Sequence, residues 1–205
     1  MPEPAIAWRP RGAWAGTAQP GAFGAKGEPG VVATPLDGFG LATLIAAPGA
    51  AADLSRMVEA RIGVSLPERP RIVSGRGNDV IWCCPDQWLL RAATREGFAA
   101  ILRDLSPHAA VSDQSHARAA LRLTGPRVRD ALAKGVMIDL HPDAFAVGDV
   151  AITSVAHVGA QFWRRADGPN GAVFEIMVPR SFAGSFWSWF VGSAAEFGCE
   201  VSASG

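Results

Sequence analysis

The chain has 205 residues, 19 basic against 19 acidic side chains, 49% hydrophobic residues and only 19% charged ones. A neutral balance gives no footprint for a phosphate backbone, which argues against nucleic acid as a partner, and three cysteines with no CxxC or close Cys/His set argue against a disulfide framework or a structural zinc site. So few charges on a chain of this length point to surfaces buried against other subunits. No basic-then-apolar leader opens the sequence and no apolar run approaches the roughly 20 residues that span a bilayer, so the expected location is cytoplasmic.

Residues 1–37 interleave Pro2, Pro4, Pro10, Pro20, Pro29 and Pro35 with six glycines, and neither period 2 nor period 3.6 survives. Trp8, Trp14 and Phe23 nevertheless lie in this stretch, whereas a solvated tail is usually poor in aromatics. Two readings stand: a disordered tail, or an extended arm whose aromatics dock on another surface.

From Gly38 the pattern is regular. Phe39 to Ala47 reads as a strand ending at Pro48-Gly49. Leu54, Met57, Val58 and Ile62 then mark an amphipathic helix stopped by Gly63. Asp79 to Cys84 and Gln87 to Arg91 read as short strands about a Pro85-Asp86 turn, with Cys83 and Cys84 pointing to opposite faces. Thr94 is placed to N-cap a helix carrying Phe98, Ile101, Leu102 and Leu105. The second half repeats the order. Ala119 to Thr124 is a strand with Leu121 and Leu123 on one face and Arg122 on the other. Gly125-Pro126 opens a short helix with Val128, Ala131 and Leu132 buried, an Asp130–Lys134 pair on its wet face, and Gly135 as its stop. Val147 to Val155 and Gly159 to Arg164 read as a hairpin, Ala172 to Val178 as a strand, and Ser181 as the cap of the last helix.

Pro48 thus aligns with Pro126, Leu66 with Leu140, and Thr94 with Ser181. Two unequal copies of one unit predict an α+β fold with mostly antiparallel sheets and packed helices. It is a pseudo-duplication, since a solenoid needs at least three repeats. The expected organisation is an arm over 1–37 and one domain over 38–205, with half-repeats of about 38–110 and 111–205. The last helix is apolar round more than half its circumference. Phe182, Phe186, Trp189, Phe190 and Phe197 fall on one face, with Trp187, Val191 and Ala194 on another. It either lies between two layers of its own domain or offers Trp187 to a partner.

Candidate chemistry is thin. Ser115-His116 near Asp113 invites a triad, but adjacent Ser and His on a strand point apart and no G-x-S-x-G elbow exists, so Asp113 and Ser115 are better read as turn-holding side chains. Gly75-Arg76-Gly77 lacks the third glycine and the following helix of a dinucleotide fingerprint. His141-Pro142-Asp143 reads as loop chemistry. Arg164-Arg165 reads as an exposed pair able to meet an acidic partner. No catalytic, cofactor-binding or metal-ligating residue is assigned. The expected partner contacts are Trp8, Trp14, Phe23, Trp187 and Val191.

Asp113-Gln114-Ser115-His116 followed by Leu121-Arg122-Leu123-Thr124-Gly125-Pro126 resembles the pattern of the aminomethyltransferase (glycine-cleavage T-protein) superfamily. Within it the chain is similar to the gamma-subunit family of heterotetrameric sarcosine oxidases. Asp139-Leu140-His141-Pro142 with Phe145, and Val178-Pro179-Arg180-Ser181-Phe182-Ala183 with Trp187, carry that likeness. The resemblance covers about 112–198 well and 41–105 more loosely. It implies a folate-binding-type fold of two swapped, pseudo-duplicated halves. It also implies a complex that oxidises sarcosine to glycine, hydrogen peroxide and formaldehyde or methylene-tetrahydrofolate. In that complex the partners are alpha, beta and delta subunits, and FAD, FMN, NAD, zinc and tetrahydrofolate sit on those subunits, none on this chain. T-protein-like enzymes carry a catalytic Asp just after a Gly-Gly turn in the hairpin; the matching stretch here, Val158-Gly159-Ala160-Gln161-Phe162-Trp163, has no acid. The resemblance therefore implies a subunit that stabilises its alpha and beta partners without catalysis, the other reading being a stand-alone folate-binding enzyme or sensor.

Overall fold

The computed structural model describes residues 11–203. The chain runs β1 (Gly21–Phe23), β2 (Val31–Leu36), β3 (Gly40–Ala46), α1 (Ala51–Ile62), β4 (Ile72–Gly75), β5 (Asn78–Cys84), β6 (Gln87–Ala92) and α2 (Phe98–Leu105). It continues through β7 (Ala109–Asp113), β8 (Arg118–Thr124), α3 (Val128–Ala133), β9 (Val150–Val155), β10 (Val158–Gly168), β11 (Gly171–Pro179), α4 (Ala183–Ala194) and β12 (Cys199–Val201). A five-stranded sheet has the order β4-β5-β6-β3-β7, and a seven-stranded sheet the order β1-β12-β2-β8-β11-β10-β9. Among the described residues only the β12–β2 pairing is parallel, so the expected α+β class with largely antiparallel sheets is what forms.

The duplication is closed by an exchange of strands. β2 leads into β3 but pairs with β8, and β7 leads into β8 but pairs with β3. Each half lends its first strand to the other's sheet, so the first repeat begins at β2, one strand before 38, while the expected start near 111 falls within β7. The extended arm expected over 1–37 is corrected for the same reason: 21–23 and 31–36 are sheet strands. β2 alternates buried and half-buried residues, a period-2 signal hidden by Gly30 and Pro35. Pro35 lies past Ala33, where β12 stops pairing, so its missing N–H costs no bond on that side.

Alternation then builds four layers. In the five-stranded sheet, Ala42, Leu44, Val80, Trp88 and Leu90 face α1 and α2, packing on Leu54, Val58, Ile62, Phe98 and Leu105. In the seven-stranded sheet, Leu121, Leu123, Phe162, Phe174 and Ile176 face α3 and α4. The intervening residues Leu41, Ile81, Cys83, Leu89, Ala120, Trp163 and Met177 meet between the sheets. Both sheets are therefore covered on both faces. The sheets also join along one edge, where Ile72 N donates to Gly148 O (2.9 Å) and Val150 N to Pro70 O (3.1 Å).

Local signals operate with some displacement. Gly63 ends α1 in the left-handed conformation, its N–H donating to Glu59 O. Gly125 (φ +113°) cannot be another residue, because a Cβ there would lie 2.4 Å from Gly30 O. Thr94 does not cap α2, which starts three residues further on behind a left-handed Gly97. Ser181 makes no cap either, since 180–182 form a separate 3-10 turn before α4. The expected Asp130–Lys134 pair is also replaced. α3 ends at Ala133, so Lys134 reaches Ser193 O (2.7 Å) at the end of α4 and Glu196 in the 3-10 turn beyond it, while Asp130 pairs with Arg127.

Trp14 is the largest departure from the expected partner contacts. It is 2% exposed, and its Nε1 donates to Ala120 O at 2.7 Å. Its ring packs on Phe186 and Trp187 with centroids 6.2 and 5.9 Å away. The aromatic excess of α4 is thus met largely within the chain: Phe186 and Phe190 sink into the core, and Trp187 leans on Trp14. Phe182, expected on the buried face, is 49% exposed because it belongs to the 3-10 turn. Among the described residues no helix is long and apolar enough to cross a membrane. Trp14→Ala is expected to lower the unfolding free energy by about 3–5 kcal/mol in denaturant titration. Trp14→Phe, which keeps one ring but loses the bond to Ala120 and part of the indole packing, should cost less, about 2–3 kcal/mol.

Candidate functional site

The centre-facing positions of the two sheets carry more than apolar residues. Asp79 and Arg91 come from β5 and β6, and Arg122, Arg165 and Glu175 from β8, β10 and β11. Each occupies the alternation that points between the layers, so five charges converge where the sheets face each other. Glu175 is wholly buried. Its Oε1 accepts from Arg122 Nε (3.0 Å) and Nη2 (2.7 Å). Its Oε2 accepts from Trp163 Nε1 (2.9 Å) and Arg165 Nε (3.2 Å), and lies 2.9 Å from Arg91 Nη1. Asp79 accepts from Arg91 Nε (2.9 Å) and Nη2 (2.6 Å), from Arg165 Nη1 (2.9 Å) and from the Ser74 hydroxyl. Arg91 and Arg165 thus each bridge both carboxylates, and across the two sheets.

The chemistry of this network is restricted. Burial alone would raise the Asp79 carboxyl, but the Arg165 hydrogen bond and the charges of Arg91 and Arg165 outweigh it and hold it at about 2. Burial opposes ionisation of Glu175 still more, and Arg91, Arg165 and Arg122 again win, so its carboxyl lies below the ordinary range. Both acids stay ionised at neutral pH with their oxygens occupied by donors. Guanidinium groups hold their protons. Such a set can order a structure or attract an anion, but it offers no poised general acid or base. A cleft of about 730 Å³ opens beside it, lined by Ser74, Arg122, Thr124, Arg165 and the β10–β11 hairpin tip.

Other expected features fall in different places. Gln161, in the stretch where the family's acid would stand, points to the centre and donates Nε2 to Cys83 Sγ at 3.2 Å. Burial pushes the Cys83 thiol up to about 11, against the smaller pull of Gln161, so it is not a nucleophile at neutral pH. Ser115 Oγ accepts from Leu41 N (2.9 Å), Asp113 Oδ1 accepts from Ser115 N (2.8 Å), and His116 Nε2 lies 2.9 Å from Arg95 Nη1. The three make a turn and no triad. Arg76-Gly77 forms the two-residue turn of the β4–β5 hairpin, both residues at positive φ. Arg164 and Arg165 are not the exposed pair expected. Arg164 is 6% exposed, bonded to Phe145 O (3.2 Å) and Asp167 (2.8 Å), and Arg165 belongs to the network. Of the expected partner contacts, Trp14 is buried, while Phe23, Trp187 and Val191 are half-buried; Trp8 lies outside the described residues. The network itself was missed from sequence, though lone charges inside apolar strands (Arg91 in QWLLRA, Glu175 in AVFEIMV) were its signal.

Asp79 ionised stabilises the fold above its unfolded value near 4, and that contribution disappears as pH falls through about 2. Denaturant melts at pH 4 and pH 2 should therefore show a loss of about 2 kcal/mol from this group, and Asp79→Asn should shrink that pH dependence. Glu175→Gln leaves Arg91 and Arg165 sharing Asp79 and Arg122 with no carboxylate, and should cost about 3–5 kcal/mol at pH 7.

The family model for the sarcosine oxidase gamma subunit matches residues 46–196. The chain is 31% identical over 144 residues to the sarcosine oxidase subunit gamma of Corynebacterium sp. (strain P-1), covering 68% of each chain. It is 31% identical over 157 residues to that of Arthrobacter sp., covering 74% of each. Among solved structures it is similar to a chain of the heterotetrameric sarcosine oxidase from Corynebacterium sp. U-96 in complex with pyrrole 2-carboxylate. There the TM-score is 0.78 and the identity 29%, over 92% of this chain and 96% of that one. The aminomethyltransferase T of the Bartonella henselae glycine cleavage system shares the fold, with a TM-score of 0.55 at 15% identity over 86% of this chain and 48% of that one. With three quarters of its length inside the matched span and relatives 31% identical over more than two thirds of each chain, the chain belongs to the sarcosine oxidase gamma subunit family.

Proposed function

We propose that this chain is the non-catalytic gamma subunit of a heterotetrameric sarcosine oxidase, stabilising the larger alpha and beta subunits while they oxidise sarcosine. The observation that carries this reading is the state of the central network. The two buried carboxylates beside the cleft are locked ionised by three arginines, and the hairpin stretch matched to the acid of T-protein-like enzymes supplies Gln161. FAD, FMN, NAD, zinc and tetrahydrofolate are assigned to the alpha, beta and delta partners, where the oxidation and one-carbon transfer take place. Phe23, Trp187 and Val191, each half-buried, are the aromatic and aliphatic contacts offered to those partners, together with Trp8.

Coexpression with the alpha and beta subunits tests the proposal. The chain should co-elute with them on size exclusion, and its omission should lower the yield of soluble, flavin-loaded complex. A chain that behaves as a monomer and ignores both larger subunits would overturn it. The stand-alone folate reading is separated by titrating the isolated chain with tetrahydrofolate while following tryptophan fluorescence. Trp163 is buried behind the cleft and shares Glu175 with the cleft-lining Arg165, so its emission would sense occupancy through that contact, and no saturable change is expected up to high micromolar ligand.

A further inference from the structure

A second pocket, of about 460 Å³, lies where the two inter-sheet connectors cross. One connector links β2 to β3 and the other β7 to β8, so they are the equivalent segments of the two halves. They are stitched together by Leu41 N to Ser115 Oγ, Gln114 N to Leu41 O (2.7 Å) and Arg95 Nε to Phe39 O (3.1 Å). The pocket is walled by Arg11, Arg95, Arg118, Arg180 and His116, with Asp37 as the only carboxylate in the lining. Asp113 also faces Arg95 and His116, but its Oδ1 accepts from Ser115 N.

These arginines differ from those of the central network in one respect. Arg91, Arg122 and Arg165 each lie against a carboxylate. None of Arg11, Arg95, Arg118 and Arg180 makes an ion pair among the described residues. Three of them are instead aimed by backbone carbonyls. Arg95 donates to Phe39 O and Ser115 O (3.1 Å each), Arg180 to Arg11 O (3.0 Å), and Arg11 to Ala15 O (3.3 Å). Carbonyl bonds fix a guanidinium without neutralising it. Like charges held round one concavity repel each other, and the concavity focuses their potential on whatever anion enters.

We propose that this pocket is a binding site for a small multivalent oxyanion, a phosphate or polycarboxylate, held by Arg11, Arg95, Arg118 and Arg180. Planar guanidinium forks suit tetrahedral and carboxylate oxyanions, whereas a halide presents no pair of oxygens to bracket. The site lies away from the central cleft, so its occupancy does not depend on the oxidase reading.

The test is thermal unfolding of the full chain in sodium phosphate or sodium citrate against sodium chloride at matched ionic strength. One of the two oxyanions should raise the midpoint saturably, by about 3–6 °C at ten times its dissociation constant, where chloride does not. Arg118→Gln combined with Arg180→Gln should abolish the saturable rise. Arg103→Gln, on the exposed face of α2, should leave it intact. Equal midpoints in phosphate, citrate and chloride for the unaltered chain would overturn the proposal whether or not the double variant folds. So would a saturable rise that the double variant retains.

Discussion

Everything in this fold turns on Glu175, a carboxylate with no solvent exposure placed between two sheets that, away from one joined edge and the connectors, are held face to face by side chains. Burying such a charge is tolerable only with several donors, and they come from both sheets: Arg91 from one, Arg122, Arg165 and Trp163 from the other. Asp79 returns the arrangement from the opposite sheet, taking Arg91 and Arg165. An apolar filling of equal volume would be as stable or more so, because desolvation consumes much of the Coulombic gain. What the ions add is registration. A slip of one residue in β6 or β11 would turn Arg91 or Glu175 toward the helices and leave its partners buried and unpaired.

The strand exchange enforces the same closeness covalently. Since β2 and β7 each leave one sheet for the other within a few residues, the connectors at 37–39 and 114–117 must cross beside the centre. Neither half can complete its sheet alone. Trp14 adds a third tie, reaching from the N-terminal segment to Ala120 on β8 and to the exposed side of α4. An aromatic-rich helix that would otherwise need a foreign surface is largely covered by its own chain, and only Trp187, Trp189 and Val191 remain partly open.

The sequence made the local parts readable. Alternation and glycine–proline punctuation located β3, β5, β6, β8, β10 and β11 to within a few residues, because those strands are buried on both faces and bounded by obligatory turns. The order of elements disclosed the duplication. Non-local facts were hidden. The exchange of β2 and β7 depends on which sheet each joins, and no spacing records that. β2 was masked by Pro35, and Trp14 looked like an adhesive residue because its stretch lacks a period. Helix caps misled where a glycine or a 3-10 turn intervened, at Gly97 and at 180–182. The ionic network was half visible: Arg122 was read as facing away from Leu121 and Leu123, but its partner Glu175 is 53 residues distant.

The contrast between the two arginine clusters follows from that architecture. At the centre, packing on all sides excludes water from Glu175, so each cation there must bring its own counter-charge or destabilise the fold by several kcal/mol. At the connector crossing, the same strand exchange creates a concavity without closing it, and water can solvate a guanidinium in place of a carboxylate. Uncompensated charge is therefore tolerated there and would be intolerable some strands away. A fold whose central acids are committed to holding two sheets together keeps its available charge at the rim, where the swapped connectors present it.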